Sequence, residues 1–267
     1  DLNIRLLDVS PSTSALTILT LARQHAAEPT LRIDATHAEA PRLVAHPIQS
    51  STFTAEAGTW LITGGLGALG MHTAKWLIQA GATHVLLASR TAKGKRAEDA
   101  MQELAQSNVH VSVAACDMAD EDAVAQLLDV SPPVRGIVHA AGLLDDQRLD
   151  TMDPGAFDRV GKSKVCGAIH LMNGVKQHKL NLQAMIFYSS LAGVSGSPGQ
   201  GNYAAVNATL DALATDWRKQ GWPCWSIAWG PWAGEGMAQP TAVRHRQQSP
   251  IGVGKRERLV REGASID

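Results

Sequence analysis

The amino-acid sequence predicts an α/β fold: a doubly wound, parallel sheet covered by helices on both faces. Two observations carry that expectation. From Thr59 onward, short continuous apolar runs alternate with stretches of helical period, as strands buried on both sides require. The first of these runs ends in "TGGLGALG", Thr63 to Gly70, which opens directly into a helical stretch, the strand–turn–helix setting of a dinucleotide site.

Taken in order, residues 1–55 hold a strand-like "NIRLLDV", a helical "TSALTILTLARQHA", a strand-like "TLRIDAT", then "APRLVAH" and the polar "SSTFTAEAG". They read as a small α/β layer and a linker. Residues 56–267 read as the main domain. Its strands are "TWLITGG", "HVLLASR", "VHVSVAACD", "VRGIVHAAG", "QAMIFYSS" and "CWSIAWG". Between them come a helix ending at Gly81, helices around "AEDAMQELAQS" and "DEDAVAQLLDV", a long helix over about 154–178 and another over about 202–220. Pro154 suits a helix first turn, and Gly221 and Pro223 end the last helix. The abrupt start in a strand suggests a piece of something longer.

Composition narrows the function. With 24 basic and 25 acidic residues and a formal charge of −1, the chain lacks the positive field that nucleic acid or an anionic membrane demands. Three unpaired cysteines argue against a disulfide frame or a zinc site and fit a reducing, cytoplasmic setting. No stretch approaches the roughly 18 apolar residues of a membrane span, and the ten histidines show no metal-ligand spacing, so no metal is expected.

In the glycine turn, Gly65 and Gly67 let the backbone approach a pyrophosphate and Gly70 lets helix and strand pack closely. Thr63, Gly64, Leu66, Ala68 and Leu69 complete the candidate cradle, and the helix N-terminus offers N–H groups to the anion. About 20 residues on, where NAD-binding chains usually place a carboxylate, stand Ser89 and Arg90. A guanidinium there grips a 2′-phosphate, favouring NADPH; an ordinary surface arginine is the competing reading. Asp117 and Met118 follow one strand, and Ala140, Ala141 and Gly142 another, at the sheet edge where the adenine and the nicotinamide ribose of such a cofactor pass; plain loop chemistry is the alternative for each.

Carbonyl reduction needs a donor that polarises the oxygen, an acid that protonates the alkoxide and a group that tunes that acid. Only two tyrosines occur. Tyr203 follows the glycine- and serine-rich "SSLAGVSGSPGQGN", which begins with Ser189 and Ser190. A serine, a tyrosine and a lysine can supply the chemistry. Tyr203 and Asn207, four apart on a helix, share a face. Lys162, two residues from Lys164, is expected to point elsewhere. Tyr188 is expected to be a half-buried strand residue, His139 strand-end packing, and His178 and His245 solvated.

Together "TGGLGALG", "LLASR", "CDMAD", "HAAGLLDD", "KSKVCGAIHL", "FYSSLAGVSGSPGQGNYAAVNATLDALA" and "IAWGPWAGEGMA" resemble the ketoreductase domain of a modular type I polyketide synthase, within the short-chain dehydrogenase/reductase superfamily. The resemblance covers nearly the whole chain and implies a Rossmann-type fold preceded by part of a truncated Rossmann-like structural subdomain. It implies NADPH-dependent reduction of a β-ketoacyl thioester carried on the phosphopantetheine arm of an acyl carrier protein, beside neighbouring synthase domains. Residue by residue it makes Tyr203 the proton donor, Ser190 the carbonyl-orienting hydroxyl, Lys164 the cation near phenol and ribose, and Asn207 the completing polar partner. Most of the superfamily carries its lysine four residues after the tyrosine; here Asn207 stands there and the lysine lies on the earlier helix, an exchange typical of polyketide ketoreductases. Leu144 and Asp146 in "LLDD", with Ser195, Pro198 and Asn202, resemble the B-type fingerprint for D-configured hydroxyls, and Ala205 implies no α-methyl inversion. Leu144, Asp146, Asn202 and Met237 become substrate contacts, and Pro231 and Trp232 cofactor contacts in a lid. Basic "KRERLVRE" reads as a solvated lid helix, with a carrier dock as the alternative. The competing functions are a fatty acid synthase ketoreductase and a redox-silent structural domain.

Overall fold

The computed structural model describes residues 6–42, 52–130 and 132–232. The chain divides into two compact units, Asp1–Thr52 and Phe53–Asp267.

In the first unit, β1 (Leu6–Val9) pairs in parallel with β2 (Thr30–Ile33) across the helix α1 (Ala15–Gln24), and β3 (Ala38–Glu39) runs antiparallel beside β2. Ser14 starts α1 by accepting the Thr17 N–H on its hydroxyl, 3.1 Å away, which satisfies one of the donors a helix start leaves open. Leu31 and Ile33 are buried by β2, whereas Leu16 and Leu19 on α1 stay exposed.

The second unit is a six-stranded sheet in the order β6-β5-β4-β7-β8-β9, every pairing parallel. Its strands are β4 (Thr59–Thr63), β5 (His84–Ser89), β6 (His110–Ala115), β7 (Val134–His139), β8 (Ala184–Ser190) and β9 (Cys224–Trp229). The connecting helices are α2 (Ala68–Gln79), α3 (Lys95–Leu104), α4 (Glu121–Leu128), α5 (Gly155–Gly161), α6 (Gly167–Gln177), α7 (Leu191–Ser195) and α8 (Gly201–Lys219). This is the doubly wound arrangement the alternation predicts. Successive residues of β4 feed opposite cores, as the two-residue period of a strand dictates. Trp60 and Ile62 join Ala74 and Leu77 of α2 and Leu104 of α3, while Leu61 joins Leu128 of α4, Leu171 of α6 and Leu210 of α8. Each such side chain contributes roughly 2 kcal/mol by leaving water. Gly136 in β7 lies against Trp60, where a Cβ would sit 2.2 Å from the indole ring; Gly136→Ala is therefore a single change that breaks this layer.

Two departures from the sequence expectation bear on the site. The long helix over 154–178 is interrupted by one π turn, Lys162–Cys166, between α5 and α6. The serine- and glycine-rich segment after β8 is not all loop, because Leu191–Ser195 forms the short helix α7 with Ser190 as its cap. His178, expected to be solvated, has its Nε2 buried with no hydrogen-bond partner among the described residues. His245 lies outside the described residues.

Candidate active site

The strand order reverses between β4 and β7, where β5 and β6 lie to one side and β8 and β9 to the other; ligands of such sheets bind in the crevice beyond the carboxyl ends at that point. Thr63 and His139, the last residues of β4 and β7, pair there. The glycine turn follows Thr63. Gly64 adopts φ +67°, a Cβ on Gly65 would lie 2.8 Å from Leu87 Cβ, and one on Gly70 would lie 2.5 Å from Gly64 O. Only glycine fits these close approaches. Gly67 precedes α2 without a side-chain cap, so no cap side chain competes with a pyrophosphate for the first amides of the helix. Leu66, Ala68 and Leu69 are half-buried along the turn. The residues present thus fit a dinucleotide.

Ser89 ends β5 and Arg90 follows it, exposed. Asp117 is exposed beyond β6 and accepts the Ala119 N–H on Oδ1 at 3.0 Å. Met118 is buried, its backbone oxygen accepting from His170 Nδ1 at 3.0 Å. Ala140, Ala141 and Gly142 follow β7; the Ala141 N–H donates to Thr63 Oγ1 at 3.2 Å, and a Cβ on Gly142 would lie 3.5 Å from Lys164 Nζ. The small residues of "HAAG" therefore make room between the glycine turn and Lys164. Pro231 is exposed, while Trp232 packs its ring against His72 (5.7 Å) and Trp229 (4.9 Å). Met237 and the basic "KRERLVRE" lie outside the described residues.

Lys164 sits inside the π turn and is 3% exposed. Single π turns are rare and concentrate at functional sites; this one carries an ammonium into the interior. Nζ donates to the Tyr188 carbonyl at 2.8 Å and lies 5.6 Å from the Tyr203 ring centroid. Burial lowers its pKa to about 8, with Asp211 pulling weakly the other way.

The backbone of that turn is held by His139, which is fully buried. Its Nε2 lies 2.9 Å from Lys164 O and its Nδ1 2.7 Å from Thr63 Oγ1. A carbonyl can only accept, so Nε2 carries the proton and Nδ1 accepts from the threonine. Burial lowers the His139 pKa to about 4 and keeps the ring neutral. A chain of hydrogen bonds thus runs from the Ala141 amide through Thr63 and His139 to the residue that carries the ammonium. The sequence reading of His139 as strand-end packing missed this, because its partners are 76 and 25 residues away.

Tyr203 lies in the first turns of α8, 9% exposed, in a small apolar cluster with Val160, Ala192 and Val206. The other tyrosine, Tyr188 on β8, is buried rather than half-buried, its hydroxyl 2.7 Å from Thr73 Oγ1 of α2. Asn207 is fully buried; Nδ2 donates to Tyr203 O at 2.7 Å, and Oδ1 accepts nothing from the described residues. The two serines separate by chemistry. Ser189 Oγ is buried and donates to Asn207 O at 3.2 Å. Ser190 Oγ instead accepts the Ala192 N–H at 3.2 Å, which leaves its own proton to donate.

The "LLDDQ" loop is fastened to the start of α8. Gln200, 3% exposed, donates through Nε2 to both Asp146 carboxylate oxygens at 2.9 and 3.1 Å. Asn202 donates to Asp145 O at 2.7 Å and Ala156 O at 3.3 Å and accepts the Tyr203 N–H at 2.8 Å. Arg159 holds Asp145 and Asp153, and hydrogen bonds from Gln147 and Arg159 lower the Asp145 pKa. Asn202, expected as a substrate contact, is 0% exposed, and its amide is occupied by backbone on three sides. Leu144 packs on the cluster around Tyr203. Gln200 lies inside the glycine- and serine-rich stretch, where a lone glutamine carries no chemical signal in the sequence. No group of three or more His, Cys, Asp or Glu side chains among the described residues could hold a metal, and no helix among them is long and apolar enough to cross a membrane.

The KR domain family profile matches residues 58–234. The chain is 42% identical over 243 residues to pikromycin polyketide synthase component PikAIII of Streptomyces venezuelae, covering 87% of this chain and 15% of that protein. It is 40% identical over 205 residues to erythronolide synthase EryA3 of Saccharopolyspora erythraea, covering 74% and 6%. Among solved structures, the first ketoreductase of the tylosin polyketide synthase superposes with a TM-score of 0.80 at 36% identity, over 88% of this chain and 52% of that one. An A-type ketoreductase of a modular synthase gives 0.82 at 33%, over 91% and 53%. The chain spans only a small part of the synthases it matches. With the glycine turn, the buried lysine and the tyrosine all inside the matched residues, the chain belongs to the ketoreductase (KR) domain family of polyketide synthases.

Proposed function

We propose that this chain reduces the β-carbonyl of a β-ketoacyl thioester, carried by an acyl carrier protein, at the expense of NADPH, leaving a D-β-hydroxyl. The observation that carries the reading is the buried Lys164 ammonium 5.6 Å from the Tyr203 ring centroid; Ser190 at the end of β8 and Asn207 one turn along α8 are the residues we add to it. A nicotinamide cofactor in the crevice supplies the hydride. Ser190 donates its free proton to the carbonyl oxygen and polarises it. Tyr203 gives the proton that neutralises the developing alkoxide, and the Lys164 ammonium stabilises the phenolate left behind. Asn207 Oδ1, buried and unengaged by the described residues, is placed to accept from a polar group of the same network.

The finer assignments have narrower support. Arg90 instead of a carboxylate beyond β5 favours the 2′-phosphate of NADPH. The D configuration rests on Leu144, Asp145 and Asp146, with Ser195, Pro198 and Asn202, and the lack of α-methyl inversion on Ala205 alone. The carrier protein and the neighbouring domains follow from relatives that are polyketide synthases. The test is NADPH oxidation by the purified protein with a short β-ketoacyl thioester, with the product's configuration resolved by chiral chromatography. Turnover that Tyr203→Phe abolishes supports the reading. Equal, slow consumption by both proteins defeats it in favour of a redox-silent domain.

A further inference from the structure

A cavity of about 480 Å³ opens beside the crevice, within the size range of small-ligand sites. Arg90 and Asp117 line it from the ends of β5 and β6; Lys162 and Ser163 line it from the π turn. Its charges are unbalanced. Arg159, also on the wall, is engaged by Asp145 and Asp153. Neither the Arg90 guanidinium nor the Lys162 ammonium has an ion pair or hydrogen bond among the described residues. With Asp145 paired to Arg159, the Asp117 carboxylate is the negative charge this wall sets against Arg90 and Lys162, and an anion entering the cavity would supply the charge that is short.

The π turn explains how one segment serves two purposes. Lys162 and Lys164, two positions apart, leave opposite sides of the turn: Lys164 enters the interior to reach Tyr188 O, and Lys162 faces the cavity. Arg90 stands where the doubly wound fold brings the adenosine ribose of a dinucleotide, so an anion reaching it is a phosphate on that ribose. We propose that Lys162 is a second cationic contact for the ribose 2′-phosphate of the cofactor, closing from the π turn the clamp that Arg90 forms from the end of β5. This rests on the NADPH reading above and adds to it a selectivity residue with no motif of its own.

The test is equilibrium binding of NADPH and NADH, followed by nucleotide fluorescence, to the wild-type chain, Arg90→Gln and Lys162→Gln. Lys162 is exposed, so its substitution leaves the core intact, and circular dichroism checks that it does. Lys162→Gln is expected to loosen NADPH about fivefold, the weight of one partly solvated charge-assisted contact, and to leave NADH affinity in place. Raising the salt concentration should shrink the difference. Equal loosening of both nucleotides, or none, overturns the proposal. So does a rise in KM confined to a phosphopantetheine thioester and absent with a thioester lacking the phosphate, since the lysine would then serve the carrier arm. A wild-type chain that binds the two nucleotides equally defeats the NADPH reading itself. Discrimination that Arg90→Gln abolishes and Lys162→Gln retains defeats this inference alone.

Discussion

Around Lys164 the polar groups are buried and held by hydrogen bonds inside the protein, with Asn207 Oδ1 left over, whereas around Arg90 and Lys162 the charges stand bare in an open cavity. At the first end, His139, Asn207 and Lys164 are 0%, 0% and 3% exposed, and Thr63, His139 and the π turn are linked by hydrogen bonds of 2.7 and 2.9 Å. At the second, Arg90, Asp117 and Lys162 are exposed and the cations have no partner among the described residues. The difference fits the two tasks proposed for them. Proton transfer gains from groups fixed in a desolvated site, where a charge acts strongly and nothing must reorganise. Capture of a charged nucleotide gains from a field that reaches into solvent and is satisfied only when the ligand arrives.

The largest effect expected from this contrast is on Tyr203→Phe. It removes the transferable proton and leaves the ring in its apolar cluster, so kcat should fall about 10³-fold while NADPH binding persists. Steady-state turnover with parallel nucleotide titration checks it. A variant that also lost the cofactor would show the two ends to be one cooperative structure.

Next comes Asn202→Ala. The closed end predicts a stability effect rather than a substrate effect, because the amide joins Asp145 O and Ala156 O to the Tyr203 N–H. Removing it leaves buried backbone groups unpaired at a cost of about 2–3 kcal/mol, read as a lower denaturant midpoint. Unchanged stability with a raised KM would restore the substrate-contact reading of Asn202.

The sequence made these two ends legible to different degrees, for a physical reason. The strands of the sheet and the glycine turn are written in local periodicity and in residues whose backbone demands are local, such as Gly64 at φ +67°. Tyr203 could be picked out by its scarcity and setting, but Lys164 rested on the resemblance alone, since a lysine on a helix looks the same whether buried or solvated. The π turn that buries it has no residue signature. His139 and Gln200 act through partners 76 and 54 positions away, and such pairings exist only once the chain has folded. Lys162, expected merely to point away from Lys164, does so, but its share of one cavity wall with Arg90 depends on how β5 and the π turn meet.

The smallest effect is a pH dependence that separates the closed end from the stability of the fold. Lys164 has its pKa lowered to about 8 by burial, so kcat/KM, which reports the free enzyme, should fall as pH rises through about 8 and be about tenfold lower near pH 9. Stability should move the other way. A lowered folded pKa means that the unfolded chain, with its lysine near 10.4, binds more protons above pH 8, and stability rises with pH wherever that holds. The window closes near pH 9, where Cys116 and Cys224, raised by burial to about 11 and about 12, begin to favour the unfolded chain as their thiols ionise there first. Activity falling while the denaturant midpoint holds or climbs between pH 8 and 9 assigns the loss to the Lys164 ammonium. Activity and stability falling together would assign it to alkaline unfolding, and a flat activity profile would show that the buried cation is not the group tuning Tyr203.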